Sequence, residues 1–599
     1  MWLWGALYAV SFGVAGYSAF LTGLREMLQW KLDVDFLMVV AALGAAVIGK
    51  YGEGAMLLVL FAIGHGLEHY AMGQARKAIR ALGNLTPHSA WVRRGADWVE
   101  VPVQQVALAD VVRVRAGERV PMDGTVAQGL SAVDQSPITG ESVPVEKGTG
   151  DEVFAGTLNG DGVLEVRVTR VAADSTVQRM IRLVEEAQSQ KSTTQRFAER
   201  FTRVYVPVVL LMTAGTAILP PVAGWLNWSD AFMRSMTLLV GASPCALAIS
   251  TPAAVLAGVA RAARSGVLIK GGAYLEALGT VRCIALDKTG TLTVGRPVVH
   301  AMAVLEGTEE ELLQVAAALE NHSTHPLAHA VLEASRARKL ELPAADQVQA
   351  IRGKGLTGVV NGARAAIGAL RMFDGQSAPA ATPEATAAVQ RLEAQACTVM
   401  LVAVDSRILG AIGLLDIPRR EAAEAMATLH AMGVRPAVML TGDNVQVGEA
   451  IGRVVGVDQV CAGLLPTDKI ERIRALLAEH GSVAMVGDGI NDAPALAAAT
   501  VGIAMGKSGT DVALEAADVA LMSDDLLRLP FAFGVSRFAR RVVAENVLIS
   551  MGMVFTLIPL AMLGIVPIWL AVILHEGSTV AVVLNSLRLL AYRGPAPAR

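Results

Sequence analysis

Long apolar stretches alternate with polar ones along the 599 residues of this chain. A helix needs about 20 mostly apolar residues to cross a bilayer. Seven stretches approach or exceed that length: residues 2–24, 34–49, 54–71, 205–226, 231–257, 542–566 and 567–590. The pattern therefore predicts a transmembrane helix bundle, with spans 1–3 in residues 1–75, spans 4–5 in 201–275, and spans 6–7 with a short tail in 538–599.

Basic residues set the expected orientation of these spans. They lie beside the ends that flank the two polar loops: Arg76, Lys77, Arg80, Arg261, Arg264, Arg537, Arg540 and Arg541. Because such residues stay on the cytoplasmic side, we expect both loops and the C-terminus in the cytoplasm. Seven spans then leave the N-terminus outside, and we expect that one upstream helix is missing from this chain.

The two loops have different patterns. Residues 76–200 alternate polar and apolar positions in short runs separated by glycine, proline and aspartate, which predicts a compact β-rich domain with helical extensions. Residues 276–294 and 410–537 alternate apolar strands with helical patterns, as in a doubly wound parallel sheet. Residues 295–409 between them are predicted to form an inserted α+β domain.

Composition narrows the class of protein. Hydrophobic residues make up 53% of the chain and charged residues 18%, and the mean hydropathy of +0.47 is too high for a soluble enzyme of this size. A net charge of −3 argues against a nucleic-acid partner. The four cysteines form no CxxC pair, which disfavours a disulfide framework or a thiolate metal-binding domain.

The sequence DKTGT at residues 287–291 ends an apolar run and carries the most chemical information. Open α/β sheets place ligands and reacting groups at the C-terminal ends of their strands. Asp287 is therefore a candidate nucleophile for phosphorylation, Lys288 supplies positive charge, and Gly290 lets the backbone close around a small anion.

Three later motifs complete a phosphoryl-transfer site. Asp488 in GDGIND is a candidate Mg²⁺ ligand, and Lys469 in PTDK can neutralise a phosphoryl group. Thr441 offers a hydroxyl group in a motif that continues with Gly442 and Asp443. Each motif alone is compatible with an ordinary loop, but their order and their positions after strands favour catalysis.

Together these motifs resemble the P-type ATPases, whose catalytic core has a haloacid-dehalogenase-like fold. The resemblance implies that Asp287 is phosphorylated by ATP and that Asp287, Asp488 and the Thr289 backbone hold Mg²⁺. Residues 76–200 would be the actuator domain, residues 276–294 and 410–537 the phosphorylation domain, and residues 295–409 the nucleotide-binding domain.

Thr139, Gly140 and Glu141 match the dephosphorylation loop of the family, in which Glu141 would activate water. A surface β-turn is the alternative interpretation of that loop.

The inserted domain is expected to bind ATP. Glu320 and the His325-Pro326 pair resemble the adenine-binding motif of heavy-metal P-type ATPases. A GxGxxG string provides Gly353, Gly355 and Gly358 for close backbone approach to the nucleotide, although this motif is weak by itself. Asp405 is a further candidate contact.

The transported substrate is predicted from two membrane segments. Pro244 breaks the fifth segment, and Cys245 beside it is a soft ligand for transition metals, although a packing role is the alternative. His575 and Glu576 lie inside the last apolar segment, where ionisable groups mark a transport site. Cysteine, histidine and glutamate together suit Zn²⁺, Co²⁺ or Cd²⁺.

These residues resemble the cobalt/zinc/cadmium subgroup of heavy-metal P-type ATPases, which has SPC and HEG motifs. The resemblance implies a transport site of Ser243, Cys245, His575, Glu576 and Thr579. His65 and Glu68 are candidates for a release site, or else an interfacial polar cluster. We expect ATP-driven export of a divalent metal across a bacterial plasma membrane by a monomer. A Cu⁺ pump, which Ser243 disfavours, and a membrane-anchored phosphatase are the alternatives.

Overall fold

The computed structural model describes residues 34–47, 49–63, 66, 70, 73, 86–135, 144–179, 182, 191–323, 325–351, 353–376, 378–395, 397–489, 492–506 and 517–595. These residues divide into two compact units. The first contains the described residues up to Thr280 together with Ala532–Gly594, and the second is formed chiefly by Val281–Phe531.

The first unit begins with two apolar helices and a β domain. The helices are α1 (Val34–Val47) and α2 (Tyr51–Ile63). The strands are β1 (Ser89–Arg94), β2 (Asp97–Pro102), β3 (Val111–Val114), β4 (Gly124–Gln128), β5 (Ser131–Asp134), β6 (Val145–Lys147), β7 (Glu152–Val153), β8 (Leu158–Asn159) and β9 (Leu164–Val168). They form the sheets β2-β1-β3-β9-β4-β7 and β6-β5-β8, as the alternating pattern predicts. Apolar residues such as Val92, Val112 and Val166 are fully buried between them.

The first unit continues with apolar helices. These are α3 (Thr193–Val222), α4 (Trp228–Gly241) and α5 (Cys245–Ala263), followed by the strand β10 (Val267–Ile269) and the helix α6 (Gly272–Thr280). The hydroxyl of Ser192 caps α3 by accepting a hydrogen bond from the Gln195 amide.

The second unit contains two sheets. Its strands are β11 (Cys283–Asp287), β12 (Thr293–Val304), β13 (Ala345–Ile351), β14 (Gly355–Val360), β15 (Ala363–Gly368), β16 (Thr398–Val404), β17 (Arg407–Pro418), β18 (Ala437–Leu440), β19 (Gln459–Cys461), β20 (Val483–Gly487), β21 (Val501–Ala504) and β22 (Val519–Leu521). Six of them form a parallel array in the order β22-β21-β20-β11-β18-β19. The inserted domain has the antiparallel order β12-β17-β16-β15-β14-β13.

Helices pack against both sheets. They are α7 (Glu309–Glu320), α8 (Pro326–Ala337), α9 (Pro383–Glu393), α10 (Ala422–Ala431), α11 (Val445–Val455), α12 (Pro466–His480) and α13 (Ala493–Ala498). The predicted domain boundary between residues 409 and 410 falls inside β17, which runs on to Pro418 and so carries the chain from the inserted domain back to the parallel sheet.

The chain returns to the first unit through α14 (Arg528–Met562) and ends with α15 (Ile568–Leu587). Within the described residues, four helices are long and apolar enough to cross a membrane: Thr193–Val222, Trp228–Ala263, Arg528–Met562 and Ile568–Ala591. Two of them begin well before the predicted spans at residues 205 and 542, because hydropathy locates the apolar part of a helix and not its end. The predicted span 2–24 lies outside the described residues.

Candidate functional site

Asp287 ends β11, the central strand of the parallel array. It pairs with Leu440 of β18, and Leu286 pairs with Val486 of β20 on the other side. The ends of the three strands therefore bring Asp287 beside the residues that follow Leu440 and Val486. Asp287 is buried, with 9% of its side-chain surface exposed, as a site that excludes bulk water requires.

Lys469 bridges two carboxylates at this edge of the sheet. Its Nζ atom lies 2.6 Å from Asp287 Oδ1 and 2.7 Å from Asp492 Oδ1. Burial raises the pKa of Asp287, as do the charges of Asp492 and Asp488, while Lys469 opposes the increase. Burial acts to lower the pKa of Lys469, but the two carboxylates hold it above its ordinary value. Lys469 is thus a fixed cation beside the candidate nucleophile.

The turn after Asp287 contains the glycine at position 290. Thr289 has φ −77° and ψ 124°, and Gly290 has φ 75° and ψ −9°, which are the central angles of a type II turn that needs glycine at its second position. A Cβ atom added at Gly290 would lie 4.0 Å from the Cβ atom of Asp488. Asp488 therefore lies against this turn, beside Asp287.

Lys288 lies beside two carboxylates of the protein itself. Its Nζ atom lies 2.6 Å from Asp443 Oδ2 and 4.0 Å from Asp416 Oδ2. Asp416 also accepts hydrogen bonds from the Thr293 hydroxyl and the Gly295 amide. Lys288 thus ties the DKTGT turn to β17 and to the TGD loop, and Lys469 is the lysine that contacts Asp287.

Thr441 lies directly after β18 and is buried. Its hydroxyl oxygen accepts a 3.1 Å hydrogen bond from the Asp443 amide, which closes the Thr441-Gly442-Asp443 turn. The hydroxyl keeps its own hydrogen for donation. Its position at the same sheet edge as Asp287 agrees with the predicted role at the phosphoryl group, which stays a prediction.

Arg419 is a member of the site that the sequence did not single out. Its guanidinium group donates hydrogen bonds to the carbonyls of Thr291 (2.9 Å) and Gly290 (3.1 Å) and to the Asp524 carbonyl (2.9 Å). It therefore fixes the carbonyl side of the turn after Asp287. The sequence did contain one signal for Arg419: it follows the end of a long strand, in the string Asp416-Ile417-Pro418-Arg419. The other motifs of the site also follow strand ends.

The donors present fit Mg²⁺. Asp287, Asp488 and Asp492 concentrate negative charge around one lysine, and the buried Asp492 Oδ2 atom has no hydrogen-bond partner among the described residues. Mg²⁺ binds through one or two carboxylates while keeping waters and phosphate oxygens. In the described part of the chain no group of three or more His, Cys, Asp or Glu residues is placed to hold a metal ion, so Mg²⁺ binding would depend on one or two of these carboxylates together with waters and phosphate oxygens.

Glu320 and His325 lie around the turn between α7 and α8. The Glu320 side chain is buried, and burial raises its pKa to about 7, although a hydrogen bond with the Ser323 side chain acts to lower it. The Ser323 hydroxyl oxygen accepts from the His325 amide at 3.2 Å, and His325 Nδ1 accepts from the Leu327 amide at 3.2 Å. His325 is therefore the exposed N-cap residue of α8, and the Leu327 amide holds its ring in place.

The glycine string and Asp405 lie on the same sheet. A Cβ atom at Gly355 would come within 2.1 Å of the Ile367 carbonyl oxygen, and one at Gly358 within 2.9 Å of Leu319. These two glycines are therefore required by packing of the protein itself, and Gly353 accepts a hydrogen bond from Arg371. Asp405 lies in the turn before β17 and accepts a hydrogen bond from the Arg364 amide of β15. Contact of these residues with nucleotide stays a prediction.

The predicted helix break is present in the first unit. Helix α4 ends at Gly241 and α5 begins at Cys245. Ser243 is buried, and its hydroxyl donates to the Leu239 carbonyl at 3.0 Å. Tyr205 of α3 donates a 2.7 Å hydrogen bond to the Ala242 carbonyl. Sequence reasoning missed this tyrosine, which lies far along the chain from the break.

His575 and Thr579 lie on α15, which packs along α5. Both side chains are buried, and His575 Nε2 has no hydrogen-bond partner among the described residues. Glu576 is the next residue on that helix. A buried imidazole nitrogen without a hydrogen-bond partner is suited to binding a ligand or ion. The helix that carries His575, α15, packs against α5, whose first residue is Cys245.

Several predicted site residues lie outside the described residues. They are Thr139, Gly140 and Glu141 of the dephosphorylation motif and His65 and Glu68 of the candidate release site. Asn585 is described, and it joins α15 to α14 by donating to Glu545 (3.1 Å) and Asn546 (2.9 Å).

The fold and the site define a phosphoryl-transfer enzyme that is part of a membrane protein. A family model described as the P-type ATPase actuator domain matches residues 84–185, and one described as haloacid dehalogenase-like hydrolase matches residues 281–500.

Similar proteins narrow this class further. A probable cadmium-transporting ATPase of Staphylococcus aureus is 42% identical over 590 residues, which are 98% of this chain and 73% of that protein. The zinc-transporting ATPase of Bacillus subtilis (strain 168) is 41% identical, over 98% of this chain and 91% of the relative. A crystal structure of a zinc-transporting PIB-type ATPase in the E2.Pi state is 40% identical, covers 97% of this chain and 94% of its own, and has a TM-score of 0.61.

The chain belongs to the P-type ATPase family. It is an integral membrane protein that couples ATP hydrolysis to cation transport, with the multidomain architecture that the sequence predicts.

Proposed function

We propose that this ATPase exports a divalent transition metal, Zn²⁺, Cd²⁺ or Co²⁺, from the cytoplasm across the bacterial plasma membrane, and that it works as a monomer. The observation that carries the proposal is the packing of α5, which begins at Cys245, against α15, which carries the buried His575. Sulfur and imidazole ligands suit these metals. The names of the relatives, cadmium-transporting and zinc-transporting ATPases, support the same substrate class.

In the proposed cycle, an Asp287 carboxylate oxygen attacks the γ-phosphorus of ATP, and ADP leaves. Lys469 stabilises the charge on the transferred oxygens, and the Thr441 hydroxyl donates a hydrogen bond to them. Asp287, Asp488 and the Thr289 backbone would hold Mg²⁺, which would supply neutralising charge. Glu141 then takes a proton from water as it attacks phosphorus, and the Asp287 carboxylate is the leaving group.

Nucleotide is proposed to bind the inserted domain around His325. Glu320 and the Ser323 hydroxyl would hold the His325 cap in place. The secondary candidates for nucleotide contact are Gly353, Gly355, Gly358 and Asp405. The metal would bind Cys245, His575 and Glu576, with Ser243 and Thr579 as hydroxyl contributors, and His65 and Glu68 would receive it on release. The two phosphorylation states must stabilise different arrangements of these membrane helices for transport to be coupled.

The proposal is tested by ATP hydrolysis of the purified full-length protein across a metal panel. We expect Zn²⁺, Cd²⁺ or Co²⁺ to stimulate hydrolysis, and Cys245→Ala and His575→Ala to abolish the stimulation. Cys397→Ala and His300→Ala are matched controls outside the proposed metal and nucleotide contacts and should retain it. Stimulation by Cu⁺ alone would indicate a copper pump.

Phosphate labelling provides the second arm of this test. Wild-type protein should acquire acid-stable ³²P from [γ-³²P]ATP, and Asp287→Asn should acquire none. Hydrolysis that is unaffected by both membrane substitutions and by removal of transition metals would instead identify a phosphatase that transports nothing.

A further inference from the structure

Two neighbouring apolar cavities lie on the first unit and share Phe197 of α3. The larger, which we call the interhelical cavity, has a volume of about 610 Å³. It lies between α3, α5, α6 and α14, and its apolar walls include Phe197, Leu247, Val547 and Met551. The smaller, which we call the aromatic groove, has a volume of about 410 Å³ and is lined by Phe197, Arg200, Phe201, Val204, Tyr205 and Val208 of α3.

The walls of both cavities are suited to hydrocarbon. Phe197 stacks on Phe201 with ring centroids 6.5 Å apart, and Phe201 stacks on Tyr205 at 5.1 Å. Phe197 is 64% exposed, and Leu548, on the far side of the interhelical cavity, is 74% exposed. Large exposed apolar side chains beside open cavities indicate a binding surface for an apolar group.

One arginine lines each cavity. Arg540 of α14 lines the interhelical cavity and Arg200 of α3 lines the aromatic groove, and both side chains are exposed. The carboxylate that lines the interhelical cavity, Glu276, already accepts hydrogen bonds from the Thr194 amide (3.1 Å) and hydroxyl (2.5 Å), and Glu199 beside Arg200 pairs with Lys191 at 2.7 Å. The two guanidinium groups therefore favour an anionic head on the molecule that fills the cavities.

The depth of the interhelical cavity matches one leaflet of a bilayer. Its lining on α14 runs from Ala539 to Met551, a rise of roughly 18 Å at 1.5 Å per residue, and half of the hydrocarbon core is about 15 Å. Arg540 lies on the basic flank of α14, while Met551 lies in the apolar part after Asn546. The cavity thus extends from the headgroup region into the hydrocarbon.

We propose that the two cavities together bind one anionic phospholipid. Its phosphate would lie at the basic rim formed by Arg200 and Arg540, one acyl chain would enter the interhelical cavity, and the other would lie along the aromatic groove. Tyr205 lines the groove, and its hydroxyl donates a hydrogen bond to the Ala242 carbonyl at the helix break. The bound lipid therefore contacts the residue that supports this break.

The test uses the purified full-length protein without ATP or transition metal, so its outcome does not depend on the proposed transport function. Native mass spectrometry after delipidation and addition of equal amounts of phosphatidylglycerol and phosphatidylcholine measures which lipid is retained. We expect one phosphatidylglycerol per chain, preferred by at least fivefold, because each arginine near the headgroup changes the affinity for an anionic lipid about fivefold.

Arg540→Gln and Arg200→Gln should each reduce the preference about fivefold. Arg541→Gln is the matched control, because Arg541 is the next residue on α14, pairs with Glu545 (3.1 Å) and does not line the cavity. Ala544→Phe, which fills the interhelical cavity without changing charge, should reduce retention of both lipids. Size-exclusion chromatography verifies that each variant is folded.

Three outcomes would overturn the proposal. Equal retention of the two lipids would indicate an apolar crevice without headgroup recognition. An unchanged preference in both Arg540→Gln and Arg200→Gln would place the lipid elsewhere. Retention of added oleate in place of phosphatidylglycerol, lost in Ala544→Phe, would identify a free fatty acid as the occupant.

Discussion

The hydroxyl group of Tyr205 on α3 donates a 2.7 Å hydrogen bond to the carbonyl oxygen of Ala242, directly before the helix break at Ser243-Pro244-Cys245. A carbonyl group at the end of a helix has lost its intrahelical partner, and inside a membrane water does not replace it. Tyr205, on a neighbouring helix, therefore supplies the hydrogen-bond donor that the Ala242 carbonyl at the break requires. It also joins the position of α3, which leads from the β domain into the membrane, to the backbone beside Cys245.

Tyr205→Phe tests this connection. Loss of the hydroxyl leaves a buried carbonyl without its donor, at a cost of about 1–3 kcal/mol. We expect metal-stimulated ATP hydrolysis to fall about tenfold or more, while ³²P labelling of Asp287 from ATP persists. Tyr51→Phe, at a tyrosine that is 53% exposed, is the control. Wild-type rates in Tyr205→Phe would show that the hydrogen bond has no part in transport.

Asp492→Asn tests the carboxylate that shares Lys469 with Asp287. The amide keeps the shape of the side chain but removes one negative charge from the candidate Mg²⁺ site. We expect the Mg²⁺ concentration for half-maximal phosphorylation to rise about tenfold, within the usual range for loss of one supporting interaction at a metal. Asp468→Asn, which can still accept from the Leu465 amide, should leave it unchanged. An equal change in the two variants would argue against a role for Asp492 at the metal.

Arg419→Gln tests the support of the DKTGT turn. The guanidinium group binds the carbonyls of Gly290 and Thr291, and its removal leaves them without these donors. Because Arg419 acts through the turn, we expect the rate of Asp287 phosphorylation to fall about a hundredfold, in line with a roughly 1 Å displacement of reacting groups. ATP affinity, measured with a fluorescent analogue, should change less than twofold. The exposed neighbour Arg420→Gln is the control, and equal loss of affinity and rate would indicate general unfolding.

Much of this site is predictable because of one rule about parallel sheets. Asp287, Thr441 and Asp488 each follow an apolar strand, and the C-terminal ends of parallel strands lie on one edge. The sequence therefore places them together without knowledge of any contact. The observed pairing of β11 with β18 and β20 confirms that arrangement.

Other contacts lie beyond this kind of reasoning. Arg419 reaches carbonyls of the turn at Gly290, and Tyr205 reaches the Ala242 carbonyl, across long separations in sequence. Backbone carbonyls leave no mark on the residue pattern, so nothing in the sequence indicates which side chain binds them. Helix ends were also missed, because α3 and α14 continue past the apolar residues into polar segments that hydropathy does not detect.

Glu320 carries a pH dependence that can be measured in the nucleotide-binding domain. Burial raises its pKa from 4.5 to about 7 in the folded protein. Below pH 4.5 the carboxyl group is protonated in both the folded and unfolded states and imposes no penalty. As the pH rises from 4.5 to 7, the unfolded state loses the proton first, so the domain loses stability. The loss is complete above pH 7 and amounts to about 3 kcal/mol.

Glu320→Gln removes this titration. Hydrogen exchange of the α7 amides in the full-length protein, corrected for intrinsic exchange rates, reports the free energy of opening. In the wild type this free energy should fall by about 3 kcal/mol between pH 4.5 and pH 8, and in Glu320→Gln most of that decrease should disappear. Glu333 on the exposed side of α8 provides the control, since Glu333→Gln should retain the wild-type dependence. A decrease of equal size in Glu320→Gln would mean that Glu320 ionises without cost in the folded domain, and its burial would then have no role in fixing the His325 cap.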